Sequence, residues 1–212
     1  MKRSNISTST DLRALFLAHG GYLTSGESRG YGVHPEQLAR LVEQGDAERI
    51  QRGVYRLIDD TVPFGAAEEL LEIQLRVPYA RPCLISALHL HGLTTTRPVA
   101  LQFAVPFNRS VPTIASPATE GFYFRPRFYG SGTLEFPVAS RLLTTYTPEK
   151  TLVDLLRYAP KYGREIYLEG LKNYLLRVRG QGIRALLDEA GTGAVGLTLR
   201  HDLEVLSHDQ DH

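Results

Sequence analysis

The sequence has only one cysteine, Cys83, so no disulfide can close within the chain, which fits a reducing compartment. It has no surplus of either charge. The formal net charge is +1 and the pI about 7.9, so no global basic excess announces nucleic acid. No apolar run approaches the roughly 18 residues a membrane helix needs, and the polar start "MKRSNISTST" lacks a signal-peptide core. A cytoplasmic protein with no membrane partner is therefore expected. Internal repeats, low-complexity tracts, a P-loop and a dinucleotide fingerprint are all missing. The 212 residues are enough for one large domain, or a small one beside a larger one, with a real hydrophobic core.

What is present begins with three short helical patterns. Leu12, Leu15 and Phe16 have helical spacing, and "HGG" at 19–21 stops that helix. "TSGE", Thr24 to Glu27, has the spacing of a capping box and starts a brief second helix, which Gly30 and Gly32 end. A third helix begins at His34-Pro35, where the missing proline N–H costs nothing. It carries Leu38, Leu41 and Val42 as one apolar stripe and stops at Gly45. The period then changes to alternation: "AERI" and "VYRL" flank "QRG", with Gly53 supplying the backbone freedom a tight hairpin needs. Three helices followed by a hairpin predict a winged helix-turn-helix over residues 1–60.

In such a module the third helix enters the major groove and the hairpin approaches phosphate or the minor groove. Residues 1–60 hold equal numbers of basic and acidic side chains, so the local arrangement matters more than the total. Arg49, Arg52 and Arg56 cluster on the hairpin and suit phosphate contact. Gln37, Arg40 and Gln44 lie opposite the apolar stripe and offer donors to base edges. With Thr24 and Ser25 at the start of the second helix and Gln51 at the hairpin, they form the candidate set for double-stranded DNA. Glu36 and Glu43 oppose tight non-specific binding, although Glu36 also suits a helix N-terminus. Winged helices serve as protein-docking modules too, and exposed arginine is commonly just solvated surface.

"DDTVP", 59–63, reads as the joint to a second domain over residues 61–212. An amphipathic helix follows (Ala67, Leu70, Leu71, Leu75), then a more buried one in "CLISALHLHGL". In "VALQFAVP", Val99, Leu101, Phe103 and Val105 alternate as on a strand. "GFYFRPRFYG" and "LEFPV" suit edge strands or hairpin arms. In "YTPEKTLVDLLRY", Thr147 is the expected N-cap, Pro148 the first helical residue, and Leu152, Leu155 and Leu156 point inward. The last third is helical: Tyr167, Leu171, Tyr174, Leu175 and Val178 share a face, two short helices follow, and the tail "SHDQDH" is expected to fray. The fold class is α+β, a winged helix-turn-helix followed by a larger mixed domain with a helical C-terminal third.

No catalytic constellation stands out. His89 and His91, about 200° apart on a helix, cannot chelate one metal from one face and read as one buried and one surface histidine. Cys83, in an apolar run, reads as core. Asp154 and Lys150 are an i,i+4 pair and read as an ion pair or a polar tie. "GSG" at 130–132 has no Asp-x-Asp nearby. No enzyme activity, cofactor or metal is expected.

"GGYLTSGE…YGVHPEQLARLVEQGDAERIQRGVYRL" resembles the N-terminal winged helix of AbiEi-type antitoxins, also called viral-defence transcriptional regulators. "ISALHLHGLT", "YTPEKTLVDLLRY…YGREIYLEGLKNYLLR" and "GIRALLDEAG" resemble successive blocks of that family's C-terminal region. The similarity runs from about Gly20 to about Leu206. One segment departs from it: "TGAVGLTLRHDL" has two glycines where relatives often carry a basic, aromatic-containing stretch. The resemblance implies an antitoxin of phage defence that represses its own operon, at an inverted repeat if two copies bind. It also implies counteraction of a nucleotidyltransferase-fold toxin, without requiring a stable complex with it. The alternative reading is a winged-helix regulator whose second domain senses a ligand or partner and has no toxin.

Overall fold

The computed structural model describes residues 9–208 except 63, 112, 113, 115 and 180. The expected end of the joint, Pro63, and the tail 209–212 lie outside the described residues. The chain divides into two units: residues 1–78 with 136–143, and residues 79–135 with 144–212. Among the described residues no helix is long and apolar enough to cross a membrane.

The first unit runs α1 (Ser9–Ala18), β1 (Tyr22–Thr24), α2 (Ser25–Gly30), α3 (Pro35–Gln44), β2 (Ala47–Gln51), β3 (Val54–Leu57) and α4 (Ala66–Arg76). The three helical patterns and the hairpin are where periodicity placed them. β1 was not expected, because three residues between a glycine pair and a helix cap are too few to show alternation. It makes the hairpin into a three-stranded antiparallel sheet in the order β1-β3-β2. Tyr22 stands opposite Arg56 and Thr24 opposite Val54; on the other side Ala47 faces Leu57, with a bulge between Arg49 and Gln51. Leu12, Leu15 and Phe16 of α1 pack with Leu23, Leu38, Leu41 and Leu57 into one core. Burying each of the larger of these side chains contributes roughly 1.5–3 kcal/mol. Residues 59–62, the described part of the expected joint, fall inside this unit, and α4 supplies the buried carboxylate of Glu72 to Arg56 of β3.

The second unit adds β4 (Arg81–Pro82), α5 (Leu84–Leu90), β5 (Leu101–Pro106), β6 (Thr119–Phe124), α6 (Pro126–Gly130), β7 (Thr133–Val138), β8 (Arg141–Tyr146), α7 (Pro148–Arg157), α8 (Ala159–Tyr162), α9 (Glu165–Val178), α10 (Ile183–Ala190) and α11 (Ala194–His208). Its sheet is ordered β4-β5-β6, with β5 and β6 parallel and β4 antiparallel to β5. Phe103, Ala104 and Val105 are buried in succession, so the central strand is covered on both faces rather than alternating. Val99, expected on that strand, precedes it and is fully exposed. β6 is an edge strand, β7 and β8 form a hairpin, and "RPRFYG" turns into the short α6. The hairpin's tip, residues 136–143 (the end of β7, the two-residue turn and the start of β8), belongs to the first unit.

α7 lies at the centre of the second unit, with every residue from Lys150 to Leu156 buried. Thr147 caps it as expected, its Oγ1 accepting from the Lys150 N–H at 3.3 Å. Gly170 of α9 allows the close approach of three helices. A Cβ there would stand 2.9 Å from Leu88 of α5 and 3.1 Å from Leu152 of α7.

Candidate nucleic-acid interface

α3 buries Leu38 and Leu41, half-buries Val42, and turns Glu36, Arg40, Glu43 and Gln44 to solvent. Gln37, expected to face DNA, instead accepts a hydrogen bond from the His34 N–H through Oε1 at 2.8 Å. It thereby satisfies one of the orphan donors at the helix start. The side chains of Arg40 and Gln44 have no intramolecular hydrogen bond or ion pair among the described residues.

The capping box at the start of α2 is complete: Thr24 Oγ1 accepts from the Glu27 N–H at 3.2 Å, and Glu27 Oε2 accepts from the Thr24 N–H at 2.7 Å. Thr24's hydroxyl is thus engaged within the helix. Ser25 is half-buried, and its N–H donates to the Gly53 carbonyl at 2.8 Å, which ties the start of α2 to the hairpin turn. A single anchor therefore positions both elements.

The hairpin's three arginines have different fates. The side chains of Arg49 and Arg52 are exposed and without hydrogen-bond or ion-pair partners among the described residues. Arg56 faces Glu48 across the strands and donates to it at 2.7 Å, donates to Glu72 at 2.9 Å, and lies over the Phe64 ring at 4.8 Å. Glu72, nearly fully buried, also accepts from Arg76. Burial and this carboxylate push the Tyr22 hydroxyl well above its ordinary range, so it stays protonated and donates to Glu72. Gln51 is also engaged, donating to the Arg76 carbonyl at 3.1 Å.

Arg141, on the hairpin tip that joins this unit, was not anticipated as a structural residue. Its guanidinium reaches both oxygens of Glu27 (2.9 and 3.0 Å) and the carbonyls of His19 (2.7 Å) and Tyr22 (2.8 Å). Burial alone would raise the Glu27 carboxyl. The hydrogen bonds from Arg141 and Thr24 outweigh it and hold that carboxyl at about 2. No sequence signal links positions so far apart.

In the second unit most of the residues singled out for possible chemistry have internal partners, although the buried Nδ1 of His89 has none among the described residues. Lys150, fully buried, pairs with Asp154, which also accepts from Arg157 at 2.7 Å. The Lys150 ammonium lies 5.0 Å from the ring centres of both Phe124 and Tyr146. His91 is buried, its Nε2 meeting the Tyr146 carbonyl at 2.7 Å, and desolvation holds its pKa down, so the ring is the neutral donor. His89 is half-buried. Cys83 is buried, and burial pushes its thiol far up, away from nucleophilic chemistry. Among the described residues no group of His, Cys, Asp or Glu is arranged to hold a metal.

Two family models match in series. One, described as a transcriptional regulator, AbiEi antitoxin, covers residues 11–58, and the other, the AbiEi antitoxin C-terminal domain, covers residues 80–196. The class is therefore a two-part antitoxin and transcriptional regulator. The chain belongs to the AbiEi antitoxin family. Among solved structures it is similar to the crystal structure of the RV2827C protein from Mycobacterium tuberculosis, at 15% identity and a TM-score of 0.49, over 90% of this chain and 80% of that one. No curated protein matches it.

Proposed function

We propose that this chain is a DNA-binding antitoxin that represses its own operon in the cytoplasm and counteracts a nucleotidyltransferase-fold toxin. Residues 1–60 act as a winged helix-turn-helix on double-stranded DNA, and residues 61–212 carry the antitoxic activity. The order α1-β1-α2-α3-β2-β3, with the hairpin directly after the third helix, supports the DNA-binding part. The observation that carries it is the distribution of uncommitted side chains. Arg40 and Gln44 on α3, and Arg49 and Arg52 on the adjoining hairpin, are exposed and unpaired among the described residues. Arg40 and Gln44 read base edges, and Arg49 and Arg52 hold phosphate. Thr24, Ser25, Gln37, Gln51 and Arg56 set the geometry of those elements through the bonds described above. If two copies bind, the operator is an inverted repeat.

The test is fluorescence anisotropy on the duplex upstream of the gene, titrated at several salt concentrations. Arg52→Ala is expected to lower the slope of log affinity against log salt by about 1 and to leave sequence preference nearly intact. An unchanged affinity and slope would remove the hairpin from the interface.

A further inference from the structure

The second unit contains a cavity of about 240 Å3, bounded by Tyr123 and Arg125 at the end of β6, Phe128 of α6, and Asp154, Arg157 and Tyr158 at the end of α7. None of its lining residues belongs to the candidate set for DNA. Its one acidic side chain carries no uncompensated charge, because Asp154 is bound by both Lys150 and Arg157. Arg125 is exposed and its side chain has no hydrogen bond or ion pair among the described residues, and Arg157 spends one N–H group on Asp154. Asp154 thus has two cations bound to it, and Arg125, which also lines the cavity, keeps its guanidinium uncommitted.

The remaining walls are rings. Tyr158 is held edge-on to Phe122, with centroids 5.4 Å apart, and Phe128 has the Arg157 guanidinium 5.2 Å from its centre. Tyr123 is 54% exposed, although it borders this cavity. A bare inorganic anion would satisfy Arg125 and leave the ring faces wet. A neutral ring would cover those faces and leave the guanidinium without a partner. Only a molecule with both parts matches the lining, since aromatic faces favour offset or edge contact and guanidinium forms paired hydrogen bonds to carboxylate or phosphate. The volume lies just below the usual range for ligand cavities, about 300–1,000 Å3, which limits the occupant to one ring system.

We propose that this cavity binds a small planar anion, one aromatic ring system bearing a phosphate or a carboxylate. Arg125 anchors the acidic group, and Tyr123, Phe128 and Tyr158 hold the ring.

The experiment is isothermal titration calorimetry of the full chain with five probes: adenosine 5′-monophosphate, 4-hydroxybenzoate, adenosine, inorganic phosphate and a single-stranded DNA oligonucleotide. At least one of the first two is expected to bind about tenfold or more tightly than adenosine or phosphate, and which one it is assigns the acidic group. Arg125→Ala should weaken that binding about tenfold, with an unchanged circular dichroism spectrum and melting temperature, because the side chain supports nothing in the fold. Arg125→Lys should restore only part of it, since an ammonium cannot reproduce the fork. The proposal is overturned if neither ring anion binds better than its separate halves, or if Arg125→Ala leaves the affinity unchanged. Tighter binding of a single-stranded oligonucleotide than of either ring anion would also overturn it, making the cavity a base pocket for nucleic acid. Arg125 is not among the DNA-facing residues, so each of these failures leaves the operator-binding reading standing.

Discussion

α3 and α7 are built alike in sequence and used in opposite ways. Each is ten residues long, starts on proline and carries basic side chains among leucines. α3 buries only Leu38 and Leu41, so Arg40 remains at the surface with its hydrogen-bonding capacity unspent. α7 is buried on nearly all sides, and its cations are consumed: Lys150 by Asp154 and a cage of rings, Arg157 by the same carboxylate. A charge on a half-buried helix is available to a partner, whereas a charge on a surrounded helix must be neutralised where it stands.

The sharpest break of this comparison is Asp154→Ala. It strands the Lys150 ammonium among Phe124 and Tyr146 and should cost about 3–5 kcal/mol, read from the urea midpoint and slope. Replacing the pair together, Lys150→Met with Asp154→Leu, should recover most of that loss. Glu43→Ala on the open face of α3 should stay within about 0.5 kcal/mol. Equal effects of Asp154→Ala and Glu43→Ala would erase the distinction between the two helices.

Arg40→Ala probes the other side of the comparison. It should leave stability unchanged and cost about 1–3 kcal/mol on the preferred duplex, relaxing one base position in a panel of single-base operator variants. Uniform weakening across the panel would make Arg40 a phosphate contact instead.

Thr147→Ala removes a cap from the buried helix and should cost about 1 kcal/mol, measurable by chemical denaturation. A further effect concerns pH. Glu27's carboxyl is held at about 2 in the folded state, below its ordinary 4.5. Between those values the unfolded chain binds more protons, so stability rises with pH there. The contribution is complete above the ordinary carboxylate range and is lost as pH falls toward about 2. Glu27→Gln should flatten that part of the stability profile, and a profile of unchanged shape would show that the Arg141 contact is not felt.

Much of this was legible because it was local. The capping box at Thr24, the stripe on α3, the cap at Thr147 and the Lys150–Asp154 pair all depend on spacings of three or four residues, which periodicity and propensity report directly. What stayed hidden depended on partners distant in the chain. β1 exists because Tyr22–Thr24 finds β3, and Arg56 is diverted by Glu72 from a helix assigned by sequence to the other domain. Gln37 is the exception, a local engagement that was missed. A glutamine at the third helical position serves equally as a cap or as an exposed donor, and only the His34 geometry separates the two.

The Arg141 clasp gives the first unit a timetable. Ribosomes deliver a chain from its N-terminus, and residues through Pro78 emerge while the hairpin tip at 136–143 has yet to be made. At roughly 5–20 residues per second the wait lasts some seconds. During it the Arg141 hydrogen bonds to Glu27 and to the carbonyls of His19 and Tyr22 are missing, and Glu27 has only its local bonds to Thr24. The nascent N-terminal part therefore leaves the exit tunnel unclasped, and only translation past Arg141 supplies the guanidinium that completes it.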